Sequence, residues 1–156
     1  MSVYIRRFEE EDAVAVSNMV INTLQVSNIR DYSLEMIEYL VSIEKPEDIL
    51  KQASRTHFYV AVEDDRIVGS GAIGKHIEDV CRLYTIFVLP QYQGRGIGKR
   101  LIEVLEKDEY ALMAKRIELH ASITGLRFYK ALGYDFKDGK KELDDMDLYW
   151  LEKVLR

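Results

Sequence analysis

The chain is poor in the residues that staple, break or anchor a fold. Its 156 residues include one cysteine, Cys81, which excludes an internal disulfide framework and suits a reducing compartment. Cys81 sits in an apolar run and reads as a buried strand residue rather than a nucleophile. There are only two prolines, Pro46 and Pro90, and no low-complexity linker or internal repeat, so residues 1–156 read as one domain. No apolar run approaches the ~20 residues that a membrane span needs. The start, Met1 to Arg7, lacks the apolar h-region of a signal peptide. A cytoplasmic protein that does not engage a membrane is the expectation. Basic residues are also in the minority, 22 Lys and Arg against 27 Asp and Glu for a net charge of −5. No basic stripe interleaved with aromatics appears, which argues against nucleic acid as a partner.

What is present suits a globular α/β domain. At 47% hydrophobic and 31% charged the chain can bury a real core. Val3 to Phe8 alternates as a first strand. Asp12 is a candidate cap for a helix to about Leu24, Ser33 for another to about Ser42, and Pro46 at N1 opens a third to about Ala53. Phe58 to Glu63 and Arg66 to Ile73 read as a hairpin about Asp64-Asp65. Val80 to Val88 is a long strand. A helix with Leu101, Val104, Leu105 and Leu112 on one face is predicted from Gly98 to about Met113. Arg116 to His120 is a further strand, and Tyr134 to Lys137 with Leu148 to Val154 reads as a closing antiparallel hairpin.

Between the long strand and the helix lies Gln93-Gly94-Arg95-Gly96-Ile97-Gly98-Lys99-Arg100. Glycines at alternate positions leave backbone N–H groups bare at the positive end of a helix dipole, which is a ready phosphate or pyrophosphate site. A Walker loop is excluded, because Gln93 stands where its first glycine is needed and Arg100 where its hydroxyl is needed. A dinucleotide fingerprint fails in both registers, ending on Lys99 from Gly94 and on Leu101 from Gly96. The pattern that fits is Gln-x-x-Gly-x-Gly, read as Gln93, Gly96 and Gly98. A second motif runs from Leu119 through Ser122, Gly125, Phe128 and Tyr129 to Leu132-Gly133-Tyr134. It is a strand end followed by a short helix, with Ser122 or Thr124 as N-cap and Gly133 as C-cap.

In this order the two motifs resemble the acetyl-coenzyme A loop and the later Phe-Tyr-x-x-Leu-Gly-Tyr segment of the GNAT family of N-acetyltransferases, and the resemblance spans essentially the whole chain. It implies a mixed sheet of six or seven strands, flanked by helices and splayed between the fourth and fifth strands. It implies acetyl-CoA as co-substrate, with no metal. The backbone of Ile86, Phe87 and Val88 would pair with the pantetheine arm, and Gln93, Gly94, Arg95, Gly96, Ile97, Gly98 and Lys99 would hold the pyrophosphate. Ser122 stands where many relatives have Asn, and its hydroxyl can still hydrogen-bond the cofactor. Gly125 likewise stands where they have Ala. Tyr129 matches the family's general acid, donating its phenolic proton to the departing sulfur. A phenol near ~10 against a thiol near ~8.5 makes that step modestly uphill.

The implied reaction is attack of a neutral amine on a thioester, helped by positioning and by backbone N–H groups near the strand. The strand carboxylate that many relatives carry is replaced here by Arg82. Glu78, Asp79, Tyr84 and His120, or solvent, are the candidate bases, and for His120 a structural hydrogen bond is the better reading. The acceptor wall offers Tyr32, Glu35, Tyr39, Asp144, Asp145 and Asp147, a lining that favours a cationic amine, although Asp138 to Asp147 reads first as a solvated loop. A polyamine, an amino-sugar, an amino acid and a protein N-terminus or lysine all stay open as acceptors. Two other classes compete. A degenerate acyl-CoA-binding sensor would keep the loop without turnover. A serine hydrolase built on Ser70 fails, because Val68 and Ala72 occupy the positions where Gly-x-Ser-x-Gly needs glycine. Apolar Leu148, Tyr149 and Trp150, read as an edge strand, make a homodimer the expectation for assembly.

Overall fold

Apolar runs build the central strands of this protein, β3 being buried at every position between its two ends, and periodic apolar residues build the helices that cover them. In the computed structural model, which describes residues 2–156, the order is β1 (Tyr4–Arg7), α1 (Ala13–Val26), α2 (Leu34–Ser42), α3 (Pro46–Arg55), β2 (His57–Glu63), β3 (Arg66–Lys75), β4 (Val80–Val88), α4 (Ile97–Glu106), α5 (Glu109–Leu112), β5 (Arg116–Ser122), α6 (Leu126–Ala131), β6 (Asp135–Phe136) and β7 (Leu148–Val154). The strands form one mixed sheet in the order β1-β2-β3-β4-β5-β7-β6. Every neighbouring pair is antiparallel except β4 and β5, which run parallel. Among the described residues no helix is long and apolar enough to cross a membrane.

Local chemistry explains most boundaries. The β2–β3 hairpin turns on Asp64 and Asp65, at φ 50° and 61°, the left-handed pair that a two-residue turn between twisted strands requires. Ser33 caps α2 by accepting the Met36 N–H at 3.1 Å. At the end of α6 the Gly133 N–H donates to Lys130 O and the Tyr134 N–H to Tyr129 O, a Schellman closure for which Gly133 supplies φ 96°.

Three sequence readings change. Asp12 precedes α1 without capping it; its carboxylate accepts the Glu9 N–H at 2.8 Å and pairs with Arg6 at 2.8 Å. The helix predicted from Gly98 to Met113 is two helices, because Asp108 interrupts it. That buried carboxylate accepts the Tyr110 N–H at 2.9 Å, capping α5, and also the Tyr59 hydroxyl at 2.6 Å. Its third partner is His57 Nδ1, at 2.9 Å. A buried carboxylate needs such donors, and the chain bends to supply them. Finally β7, read as an edge strand, is interior, between β5 and β6.

Apolar residues separate into two clusters. Val16, Val20 and Leu24 of α1 join Ile37, Ile49, Phe58 and Val60 in one, and Ile102, Leu105, Ile117, Leu119, Tyr129, Tyr134 and Leu151 form the other. Helix α4 lies close against β3 because Gly69 and Gly71 leave room for it. A Cβ at either would stand 3.1 Å from Leu101 or 3.0 Å from Leu105. This packing holds the N-terminus of α4 at the end of β4.

Candidate active site

The site begins where two strands stop pairing. β4 and β5 are in register only at Val80↔Arg116, Cys81↔Ile117 and Arg82↔Glu118. Beyond that point residues 83–88 and 119–122 diverge, while β5 stays paired to β7 as far as Ser122↔Leu148. The β4-facing edge of β5 and the outer half of β4 therefore present backbone groups to an opening rather than to each other. A bulge re-aims β4 there, as its register with β3 steps from Ser70↔Phe87 to Ala72↔Tyr84. Thr85 takes φ 53° in that bulge, its carbonyl accepts the Ser70 hydroxyl at 2.7 Å, and its own hydroxyl donates to Gln52 Oε1. The result is a cleft of about 790 Å³, whose walls include Ile86, Phe87 and Val88 of β4.

At the mouth of the cleft the glycine loop meets α4. Gly94 and Gly96 both have φ 81°, and a Cβ at either would touch nothing within 4 Å, so the backbone conformation itself demands glycine there. Gly98 differs, because its Cβ would stand 3.0 Å from the Phe128 ring. The Arg100 N–H bonds to Gly96 O at 3.1 Å and opens the helical ladder. The N–H groups of Ile97, Gly98 and Lys99 consequently have no partner among the described residues, and the helix dipole adds to their positive potential. Gln93, Gly94, Gly96, Ile97, Gly98 and Lys99 all line the cleft. Gln93 also has a structural task, its Nε2 donating to Val88 O at 3.0 Å and Ser27 Oγ at 3.2 Å. Arg95 is not on the cleft wall. Its guanidinium lies 4.8 Å over the Tyr92 ring.

The opposite wall carries Ser122 and Tyr129. Ser122 Oγ accepts the Gly125 N–H at 2.9 Å, setting the turn into α6. Tyr129 is buried, with Phe128 and Tyr134 edge-on at 5.0 and 6.1 Å. Its hydroxyl has no hydrogen-bond partner among the described residues, and burial pushes its pKa up, so it holds its proton at neutral pH. Tyr32 closes the front, accepting the Ile123 N–H at 2.9 Å and donating to Asp147 O at 2.7 Å.

Of the candidate bases, Tyr84 and His120 line the cleft. Glu78 and Asp79 instead precede the closed end of β4, where Asp79 O accepts the Lys115 N–H at 2.7 Å. His120 Nδ1 lies 3.4 Å from Asp144, and its ring lies 4.8 Å from Trp150. Burial and then the Arg82 charge lower its pKa, outweighing Asp144. Glu35 and Tyr39 are exposed and off the cleft wall. Sequence reasoning missed Glu44, which follows α2 and lines the cleft. Burial, helped by Asp48, pushes its carboxyl up to about 7. Nothing in its local sequence marks it, since only the path from α2 to α3 brings it there.

Known proteins share this architecture. A family model described as an acetyltransferase (GNAT) domain matches residues 28–153. An uncharacterized acetyltransferase of Streptococcus pyogenes is 30% identical over 92 residues, 59% of this chain and 62% of that protein. The chain thus matches about three-fifths of the length of such curated relatives. Among solved structures, the PaiA N-acetyltransferase of Thermoplasma acidophilum in complex with coenzyme A superposes with a TM-score of 0.85 at 22% identity, over 99% of this chain and 100% of that one. A GNAT-family acetyltransferase of Staphylococcus aureus Mu50 gives a TM-score of 0.75 at 17% identity, over 99% and 100% of the two chains. At these identities the likeness is one of fold.

Proposed function

Because the chain belongs to the GNAT family of acetyltransferases, we propose that it moves an acetyl group from acetyl-CoA to a primary amine by direct attack within one ternary complex. The observation that carries this reading is the unpaired opening between β4 and β5, which ends at the three bare N–H groups that begin α4. An extended amide-bearing arm with a pyrophosphate at its far end has the complementary chemistry: strand edge for amides, helix terminus for anions.

In this reading the cleft-lining stretch Ile86, Phe87 and Val88 pairs with the pantetheine arm along the edge of β4 that faces away from β3. The N–H groups of Ile97, Gly98 and Lys99 receive the pyrophosphate, with the Lys99 ammonium beside them. Gly94 and Gly96 shape that cradle, while Gln93 ties it to β4 and α1. Ser122 offers a further hydroxyl on the opposite wall. Bound acetyl-CoA supplies an acyl carbonyl already activated by its sulfur. Fixing that carbonyl beside an amine turns a bimolecular encounter into a positioned one, which accounts for a large part of the acceleration. Tyr129, neutral and without a competing partner, is the group that can hand a proton to the departing thiolate. The acceptor is a small amine or a peptide amine.

Thiol release from acetyl-CoA, followed across a panel of primary amines, tests this function. Release is expected to depend on one class of amine. Tyr129→Phe is expected to lower kcat by about 100-fold or more while the acetyl-CoA Kd stays unchanged. Binding without release would make the chain an acyl-CoA-binding sensor, release without amine would make it a thioesterase, and unchanged turnover in the variant would remove Tyr129 from the mechanism.

A further inference from the structure

An amine acceptor arrives as an ammonium and must lose a proton before it can attack. Glu44 is placed for that task. It lines the cleft with Thr23, Leu40, Gln52 and Tyr84, and its backbone is pinned by the Ser17 hydroxyl, which donates to Glu44 O at 2.6 Å. The carboxylate itself has no hydrogen bond or ion pair among the described residues, and its oxygens are not among the sealed polar atoms. Among the described residues no cation forms an ion pair with it, and the charged group that shifts its carboxyl is Asp48. The cations of α3, Lys51 and Arg55, line the smaller neighbouring pocket. The α1 hydroxyls are already donated, Ser17 to Glu44 O and Thr23 to Met19 O, and β4 brings the Tyr84 phenol to the same cleft. Asp48 and Gln52 come from α3, where Asp48 is engaged with the Lys45 N–H at 3.0 Å and Gln52 with the Thr85 hydroxyl. An ionised carboxylate in such a place lacks a compensating charge, and burial accordingly lifts its pKa to about 7. His120, which also lines the cleft, lies 3.4 Å from Asp144.

We propose that Glu44 receives the ammonium of the acceptor and accepts its proton, so that the acceptor is a cationic primary amine whose charged end enters from the α2–α3 side of the cleft. This rests on the acetyltransferase reading above. The step balances as follows. The ammonium gives one proton to the Glu44 carboxylate, the freed nitrogen lone pair forms the C–N bond, and the C–S bond breaks. Tyr129 protonates the sulfur and recovers a proton from the new amide nitrogen, while Glu44 returns its own to solvent. The products are an amide, a thiol and one proton.

The test compares wild type with Glu44→Gln, a neutral isostere. With benzylamine and 1,4-diaminobutane as probes, wild-type kcat/KM should show an acidic limb centred near pH 7. The variant should lack that limb and be about 100-fold slower at pH 7, with the acetyl-CoA Kd unchanged. Melting temperature gives a readout that needs no turnover. A carboxyl whose folded pKa is raised from 4.5 to about 7 contributes stability that is present below 4.5 and lost as pH rises to about 7. Wild type should therefore fall relative to the variant across that window, and above it either amine should restore wild type selectively. Identical pH–rate profiles, or a melting difference indifferent to pH and to both amines, would overturn the proposal. Absence of thiol release from wild type would defeat the acetyltransferase reading, while the melting comparison would still judge Glu44.

Discussion

Glu118 keeps 1% of its side-chain surface exposed, yet it is held ionised. Burial pushes its carboxyl up, but the Arg116 hydrogen bond at 3.0 Å and Lys137 at 3.2 Å together outweigh that and bring it below its ordinary value. Arg82, its partner in the last registered pair of β4 and β5, stands 3.8 Å from Oε1, and its guanidinium lies 5.1 Å over the Trp150 ring. The resemblance places a carboxylate on β4 where this chain has Arg82; the carboxylate here is across the strand boundary, at the closed end of the opening. Removing one partner of a buried ionic cluster costs more than the pairing contributes, because the remaining charges are stranded. Glu118→Gln should therefore lose about 3 kcal/mol in urea unfolding at pH 7. Since the folded pKa lies below the unfolded 4.5, this stability is present above pH 4.5 and lost as pH falls through the folded value. The deficit should shrink on acidification below 4.5, and a deficit constant from neutral pH into acid would contradict the ionic account.

At the scale of elements, the junction between β4 and α4 depends on two glycines for conformation and one for space. Gly96 is the left-handed N-cap of α4, with open surroundings. Alanine there costs about 1–2 kcal/mol of backbone strain, and any relaxation turns the bare N–H groups away from their target. Gly96→Ala should weaken acetyl-CoA binding about tenfold in calorimetric titration, the equivalent of about 1.4 kcal/mol. Gly96→Asn should recover part of the loss, because Asn tolerates this conformation. Equal binding by both variants and wild type would show that the glycine is not needed for its φ. This junction was legible in the sequence because its determinants are local: alternate glycines, a preceding apolar strand and a following amphipathic helix. The break between α4 and α5 was not, because Asp108 is held by His57 and Tyr59 from β2, and no local pattern announces those partners.

Over the whole molecule, most strand bounds followed from the apolar pattern, and the sheet with its splay from the family resemblance that the two motifs carry. The insertion of β7 between β5 and β6 did not, because register between distant strands is decided by packing. Glu44 and the Tyr32 bridge to Ile123 and Asp147 were hidden for the same reason, since each joins segments remote in sequence. The central claim is about place: one cleft, opened by the parting of β4 and β5, seats the acetyl donor. Backbone amide shift mapping by NMR on addition of coenzyme A tests it most directly. The account predicts the largest shifts at Ile97, Gly98 and Lys99, with a second group at Ile86, Phe87 and Val88 and smaller changes around Ser122. Shifts confined to surfaces away from the β4–β5 opening, or no saturable shifts, would contradict it.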